Sequence, residues 1–154
     1  MRGGLFLILL AAAGFAGGSE GAAQRWTRHV TTAGFSVDRP PGWTAVGVAP
    51  DRFSIRSGRC REPALATCDG VGEILVSSEP FGGKPARIKA CWNLTETVSE
   101  AEDGPGRRTE VSQLSCTIGA RRFFIVERHW KGDKHAARYS RIAMRMAKSL
   151  RYPG

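Results

Sequence analysis

The chain carries 23 Lys and Arg against 14 Asp and Glu over 154 residues, a formal net charge of +9. With an N-terminal leader set aside, about 130 residues remain, enough for one hydrophobic core and too few for two ordinary domains, which excludes an interdomain cleft as the site. Positive charge on that scale favours anionic partners, namely phosphorylated envelope glycolipid, anionic phospholipid, an acidic protein or, least of all, nucleic acid, with plain solubility as the alternative.

Residues 1–23 have the layout of a secretory signal peptide: Arg2, an apolar run beginning at Leu5, then small residues as far as Ala23. The run is shorter than the roughly 20 residues a membrane-spanning helix needs, and Gly14, Gly17 and Gly18 loosen its end. Cleavage after Ala23 is expected, with a cut after Ala16 as the alternative. Residues 24–154 would then form a single domain in the periplasm or outside the cell, with no transmembrane segment left after cleavage.

Trp26 to Thr32 and Phe35 to Asp38 are rich in Val, Thr and aromatic residues around Ala33-Gly34, which predicts two short strands or one bent one. Pro40 and Pro41 stop the ladder, since neither donates a backbone hydrogen bond, and Trp43 is expected to pack back onto the core. Phe53 to Arg56 alternates as a half-buried strand does, Ser57 to Gly70 reads as a loop, and Gly72 to Glu79 as a strand centred on Ile74, Leu75 and Val76. The stretch from Pro85 to Gly104 is ambiguous. Period two puts Ile88, Ala90, Trp92, Leu94 and Val98 on one face, broken by Glu96; helical period gathers Ile88, Cys91, Trp92, Thr95 and Val98, with Pro85 as a start signal and Gly104 as a stop.

Thr109 to Ile118 and Arg121 to Trp130 predict a hairpin turning at Gly119-Ala120. Asp133 then offers a cap for a terminal helix with Tyr139, Ile142, Ala143, Met146 and Leu150 on one face. Its other face carries Arg138, Arg141, Arg145 and Lys148.

Four cysteines in an exported chain predict two disulfides. Cys60 with Cys68 is favoured because the segment between them is short and loop-like, leaving Cys91 with Cys116. Each bridge should contribute roughly 2 to 4 kcal/mol by restricting the unfolded chain. No Cys-x-x-Cys or paired Cys/His spacing indicates a metal, and no cofactor motif is present. The run from Ser77 to Pro85 imitates a phosphate loop at Gly83-Lys84, but Ser78 and Pro85 stand where a glycine and a metal-binding hydroxyl are required.

No catalytic signature emerges from the sequence. His129 and His135 flank a tight turn with Glu127 and Asp133 nearby, and with Lys131 and Lys134 they are the raw material of a secreted hydrolase such as a ribonuclease. Trp130, beside His129 and Lys131, is a candidate stacking platform. The stripe Arg138, Arg141, Arg145, Lys148 is the strongest binding candidate, with Arg121, Arg122 and Arg128 of the hairpin as an extension of the same patch.

The order of these elements, with Gly34, Phe35, Pro41, Gly42 and Trp43 at the start, Gly119 in the hairpin and Ser149-Leu150 at the end, resembles the PsbP-like family of small exported domains. The resemblance implies an α+β fold, a central antiparallel sheet with the C-terminal helix and a middle helix packed on it, and it tips residues 85–100 toward helix. It also implies an accessory or scaffolding role without catalysis. Two disulfides and a strongly basic terminal helix depart from the family pattern. The expectation is therefore a non-enzymatic envelope protein whose terminal helix contacts an acidic protein or other anionic component. A hydrolase using His129 and His135 and a binder of anionic envelope polymer or lipid are the alternatives.

Overall fold

A computed structural model describes residues 25–60, 68, 70–82, 90–91, 93–102 and 105–153. The expected leader, Trp92, and the Gly83, Lys84 and Pro85 of the rejected phosphate loop lie outside the described residues. Strands β1 (Thr27–Val30) and β2 (Ser36–Arg39) pair as an antiparallel hairpin. Strands β3 (Thr44–Ala49), β4 (Arg52–Arg56), β5 (Glu73–Pro80), β6 (Thr95–Glu102), β7 (Arg108–Ile118) and β8 (Arg121–Trp130) build a six-stranded sheet in the order β3-β4-β5-β8-β7-β6. Every pairing in it is antiparallel. Helix α1 (Ala136–Ser149) packs against β8, β2 and β7. The α+β architecture is the expected one.

The pleat decides what is core. Along β8, Phe123, Ile125, Glu127 and His129 are buried, while Phe124, Val126 and Trp130 are half-exposed and Arg128 is exposed. Their register partners Ile74 and Val76 on β5 and Leu114 and Cys116 on β7 continue the buried face, which α1 and the β1–β2 hairpin cover. The other face of the sheet meets solvent, as an antiparallel sheet allows. The chain end adds to the cover: Ser36 and Arg151 exchange backbone hydrogen bonds of 2.8 and 2.9 Å.

Both disulfides form as expected, Cys60–Cys68 with Cα atoms 5.6 Å apart and Cys91–Cys116 with 5.8 Å. The middle helix is corrected in its second half. Thr95–Glu102 is an edge strand, exposed throughout and paired residue for residue with β7 from Thr95↔Ser115 to Glu102↔Arg108. The helical signals were local, whereas the outer edge of β7 offers a full row of unpaired backbone groups that only a strand satisfies. β3 escapes the sequence pattern because a register irregularity between Ala45 and Gly47 breaks its alternation.

Helix α1 sits close to the sheet at one glycine. A Cβ on Gly72 would lie 2.6 Å from Cγ and Cδ1 of the Tyr139 ring, so any side chain there pushes the helix outward. Gly72→Ala is expected to lower stability by about 1 to 3 kcal/mol, the usual cost of overpacking, as a lower midpoint in urea unfolding. An unchanged midpoint would show that Tyr139 has room to move.

Candidate functional site

The turn after β8 sets the start of α1. Asp133 Oδ1 accepts from the backbone N–H of His135 at 2.7 Å and its Oδ2 from that of Gly70 at 3.0 Å, which ties the start of the helix to the backbone just before β5. His135 itself occupies the N-cap position and makes no side-chain cap bond. From there the helical period buries Tyr139, Ile142, Ala143, Met146 and Ala147 and leaves Arg138, Arg141, Arg145 and Lys148 exposed. Among the described residues no carboxylate lies within ion-pairing distance of these four side chains, although other cations do find partners, as Arg28 does with Asp38 at 2.9 Å and Arg56 with Glu73 at 3.4 Å.

Beside α1 lies a groove of about 300 Å3 lined by Arg138, Arg141 and Arg145 and, from the N-terminal segments, by Trp26, Pro41 and Trp43. The guanidinium of Arg145 stands 4.0 Å from the Trp26 ring centroid. Trp43 is almost buried and meets Tyr139 edge-on, with centroids 6.0 Å apart. Gly42 takes φ 75°, a left-handed conformation that lets the chain reverse after the two prolines and bring Trp43 under the helix. The hairpin that precedes it is tied to the far end of α1. Arg28 Nη1 donates to the Ser149 carbonyl at 2.8 Å, and the Asp38 N–H donates to the Ser149 hydroxyl at 2.8 Å. A second cavity of about 280 Å3 shares Pro41, Trp43 and Arg138 and extends to His135.

The geometry suits recognition more than catalysis. A guanidinium presents its donors as a planar fork that matches a carboxylate or phosphate, and three of them on one helix face offer several such contacts beside an apolar wall. Among the described residues no group of three His, Cys, Asp or Glu side chains is placed to hold a metal ion.

The patch expected to join α1 with the hairpin divides. Arg128 and Trp130 lie on the sheet face opposite α1, because strand residues of one parity point one way and buried His129 and Glu127 take the other. There the guanidinium of Arg107 covers Trp130, 4.5 Å from its ring centroid, and Arg122 stacks on Phe81 at 3.9 Å. Arg121, of the inward parity, approaches Tyr152. Neither Arg128 nor Trp130 belongs to the groove.

The two histidines differ in burial. His129 is 2% exposed, with Nδ1 2.8 Å from Oε1 of the fully buried Glu127 and Nε2 3.8 Å from Glu110. Burial pushes the Glu127 carboxyl above the usual carboxylate range, against the opposing pull of the His129 hydrogen bond. Tyr139 lies near both imidazoles, its ring centroid 6.3 Å from His129 and 6.2 Å from His135, and burial raises its phenol as well. His129 thus lies beneath the surface, whereas His135 is half-exposed at the start of α1. His29 stacks on Phe53 with centroids 4.0 Å apart, and burial, then Arg39, lowers its pKa.

No family model and no curated protein matches the chain. Solved structures do. The chain superposes over 84% of its length, and 49% of the other's, on a crystal structure from Bacteroides thetaiotaomicron with TM-score 0.54 and 11% identity. The likeness is one of fold. It spans about half of the Bacteroides chain. The Ran-binding protein Mog1p of Saccharomyces cerevisiae aligns with TM-score 0.47 and 9% identity over 83% of this chain and 95% of its own.

Sequence reasoning found the arginine stripe and missed what it faces. Trp26 and Pro41 were legible only as strand and turn residues, since no local pattern connects them to a helix at the other end of the chain. The one available signal was composition: Trp26 and Trp43 bracket the Pro40-Pro41 turn, an aromatic density greater than two short strands require.

Proposed function

We propose that the protein is an exported, non-enzymatic accessory domain of the bacterial envelope, a PsbP-like domain comprising residues 24–154 behind a signal peptide at 1–23, which contacts an acidic protein partner through α1. The observation that carries this reading is the groove in which Arg138, Arg141 and Arg145 face Trp26 and Pro41 with no carboxylate of the described residues beside them. Charges left unpaired on an ordered face, next to apolar side chains, are what a charged partner neutralises on docking. Two disulfides point to an oxidising compartment, and among the described residues no helix is long and apolar enough to cross a membrane.

The test is retention of a discrete acidic protein from a periplasmic extract at physiological salt, by the wild type and by the Arg138→Glu, Arg141→Glu, Arg145→Glu variant. All three side chains are exposed, so the variant should keep the wild-type fold and circular dichroism spectrum. At about 1 kcal/mol for each exposed pair, three reversals weaken binding about a hundredfold. Equal retention by both proteins would refute the reading, and release of everything bound by moderate salt would turn it toward an anionic envelope polymer.

A further inference from the structure

The stripe has a register as well as a charge. Its members fall at successive steps of three, four and three residues, so at 1.5 Å per residue Arg138, Arg141, Arg145 and Lys148 recur along the axis at roughly 4.5, 6 and 4.5 Å and span roughly 15 Å. That length exceeds what a single small anion covers. An extended peptide repeats its same-face side chains about every 6.7 Å and falls out of step after one contact. An α-helix with carboxylates three and four residues apart repeats with the same rise as α1 and stays in step along the whole stripe.

The groove adds a second requirement. Beside the arginines the lining is apolar: Trp26 and Pro41 are half-exposed, Trp43 and Ile142 lie largely buried behind them, and the Arg145 guanidinium stacks on Trp26. A linear phosphate or uronate polymer has nothing to place there. An amphipathic helix does, because the side chains adjoining its acidic row are the apolar ones that a groove of about 300 Å3 accepts.

We infer that the partner element bound by this face is an amphipathic acidic helix that lies along α1, its carboxylates on Arg138, Arg141, Arg145 and Lys148 and its apolar row against Trp26 and Pro41. The inference rests on the reading of α1 as the contact surface and adds the shape and chemistry of what docks there. Trp26 is then a specificity residue, separating an amphipathic helix from a bare polyanion, while the arginines serve both.

Three probes test it against the protein purified after expression of the full chain, by titration calorimetry at physiological salt. The first is a synthetic peptide with Glu and Leu at helical spacing. The second is the same peptide with two internal prolines, which keeps the charge and removes the helix. The third is inorganic polyphosphate. The helical peptide is expected to bind at least about tenfold more tightly than its proline isomer, and Trp26→Ala to weaken the helical peptide about tenfold while leaving polyphosphate unchanged. Equal binding of all three probes would overturn the helix and leave the proposed acidic partner standing. Failure of the helical peptide to bind, while the acidic protein of the capture experiment is still retained by wild type and lost by the arginine variant, would also overturn it. Loss of both the peptide and the captured protein would remove the underlying reading as well.

Discussion

His129→Ala is expected to destabilise the protein by about 3 to 5 kcal/mol near neutral pH, because it leaves the buried carboxyl of Glu127 without its hydrogen-bond partner. Glu127 is inaccessible to solvent, its Oε1 is 2.8 Å from His129 Nδ1, and its Oε2 has no hydrogen-bond partner among the described residues. Around this pair stand Glu110, 3.8 Å from the other imidazole nitrogen, with Asp133 acting at longer range to push Glu127 in the same direction. The folded pKa of Glu127 is raised above its unfolded value, chiefly by burial. The stabilising side of that shift is therefore present below the ordinary carboxylate pKa and is lost as pH rises through the raised folded value. The wild type should lose stability across that interval, and His129→Ala should lose more, since the hydrogen bond that holds the carboxyl down is gone. Glu127→Gln keeps an acceptor for His129 and removes the charge, so it should flatten the slope and shrink the penalty of His129→Ala in the double variant. Urea unfolding of the four proteins from mildly acidic to mildly alkaline pH decides this. Parallel pH profiles for wild type and Glu127→Gln would mean that the buried carboxyl does not titrate in the folded protein.

Phe123→Ala should cost a similar 3 to 5 kcal/mol, about the usual loss for a fully buried phenylalanine. Phe123 has no exposed surface and lies where three parts of the fold meet. Its ring approaches Phe35 of the small hairpin at 5.5 Å between centroids and Tyr152 of the C-terminal tail at 5.6 Å, and it stands opposite Cys116 in the β7–β8 register. Losing it removes apolar contact from the joint that holds the β1–β2 hairpin against the sheet, and that hairpin carries the approach to Trp26. The variant should accordingly weaken partner capture at temperatures where it is still folded. Phe124→Ala, one residue along and half-exposed on the other face, should lose clearly less. Equal losses at the two positions would mean that the burial of β8 is not the alternating one described.

The long hairpin and the terminal helix were readable because their signals are local. Thr109 to Ile118 alternates, Arg121 to Trp130 carries the apolar run Phe123 to Val126 after the Gly119-Ala120 turn, and Tyr139, Ile142, Ala143 and Met146 mark the buried helix face by spacing. Thr95–Glu102 was not readable in the same way. Its acidic, weakly apolar sequence lies between a helix start signal at Pro85 and a stop at Gly104, and what makes it a strand is the open edge of β7, which lies in another part of the chain. The side of the sheet that Arg128 and Trp130 occupy was hidden for the opposite reason: the strand was read correctly, but its parity relative to α1 depends on which face the helix covers.

By itself the sequence laid out the row of four cations on α1 by helical spacing and favoured Cys60 with Cys68 by its short loop, which left Cys91 with Cys116 by elimination, while the α+β class came from the resemblance in element order. Only the tertiary structure decided that His129 is sealed against Glu127, that Trp130 faces away from α1, and that Trp26 and Pro41 stand across a groove from Arg138, Arg141 and Arg145. Each of these follows from how the hairpin, the sheet and the helix cover one another. That cover is set by burial of apolar surface summed over the whole domain, which no local stretch of sequence encodes.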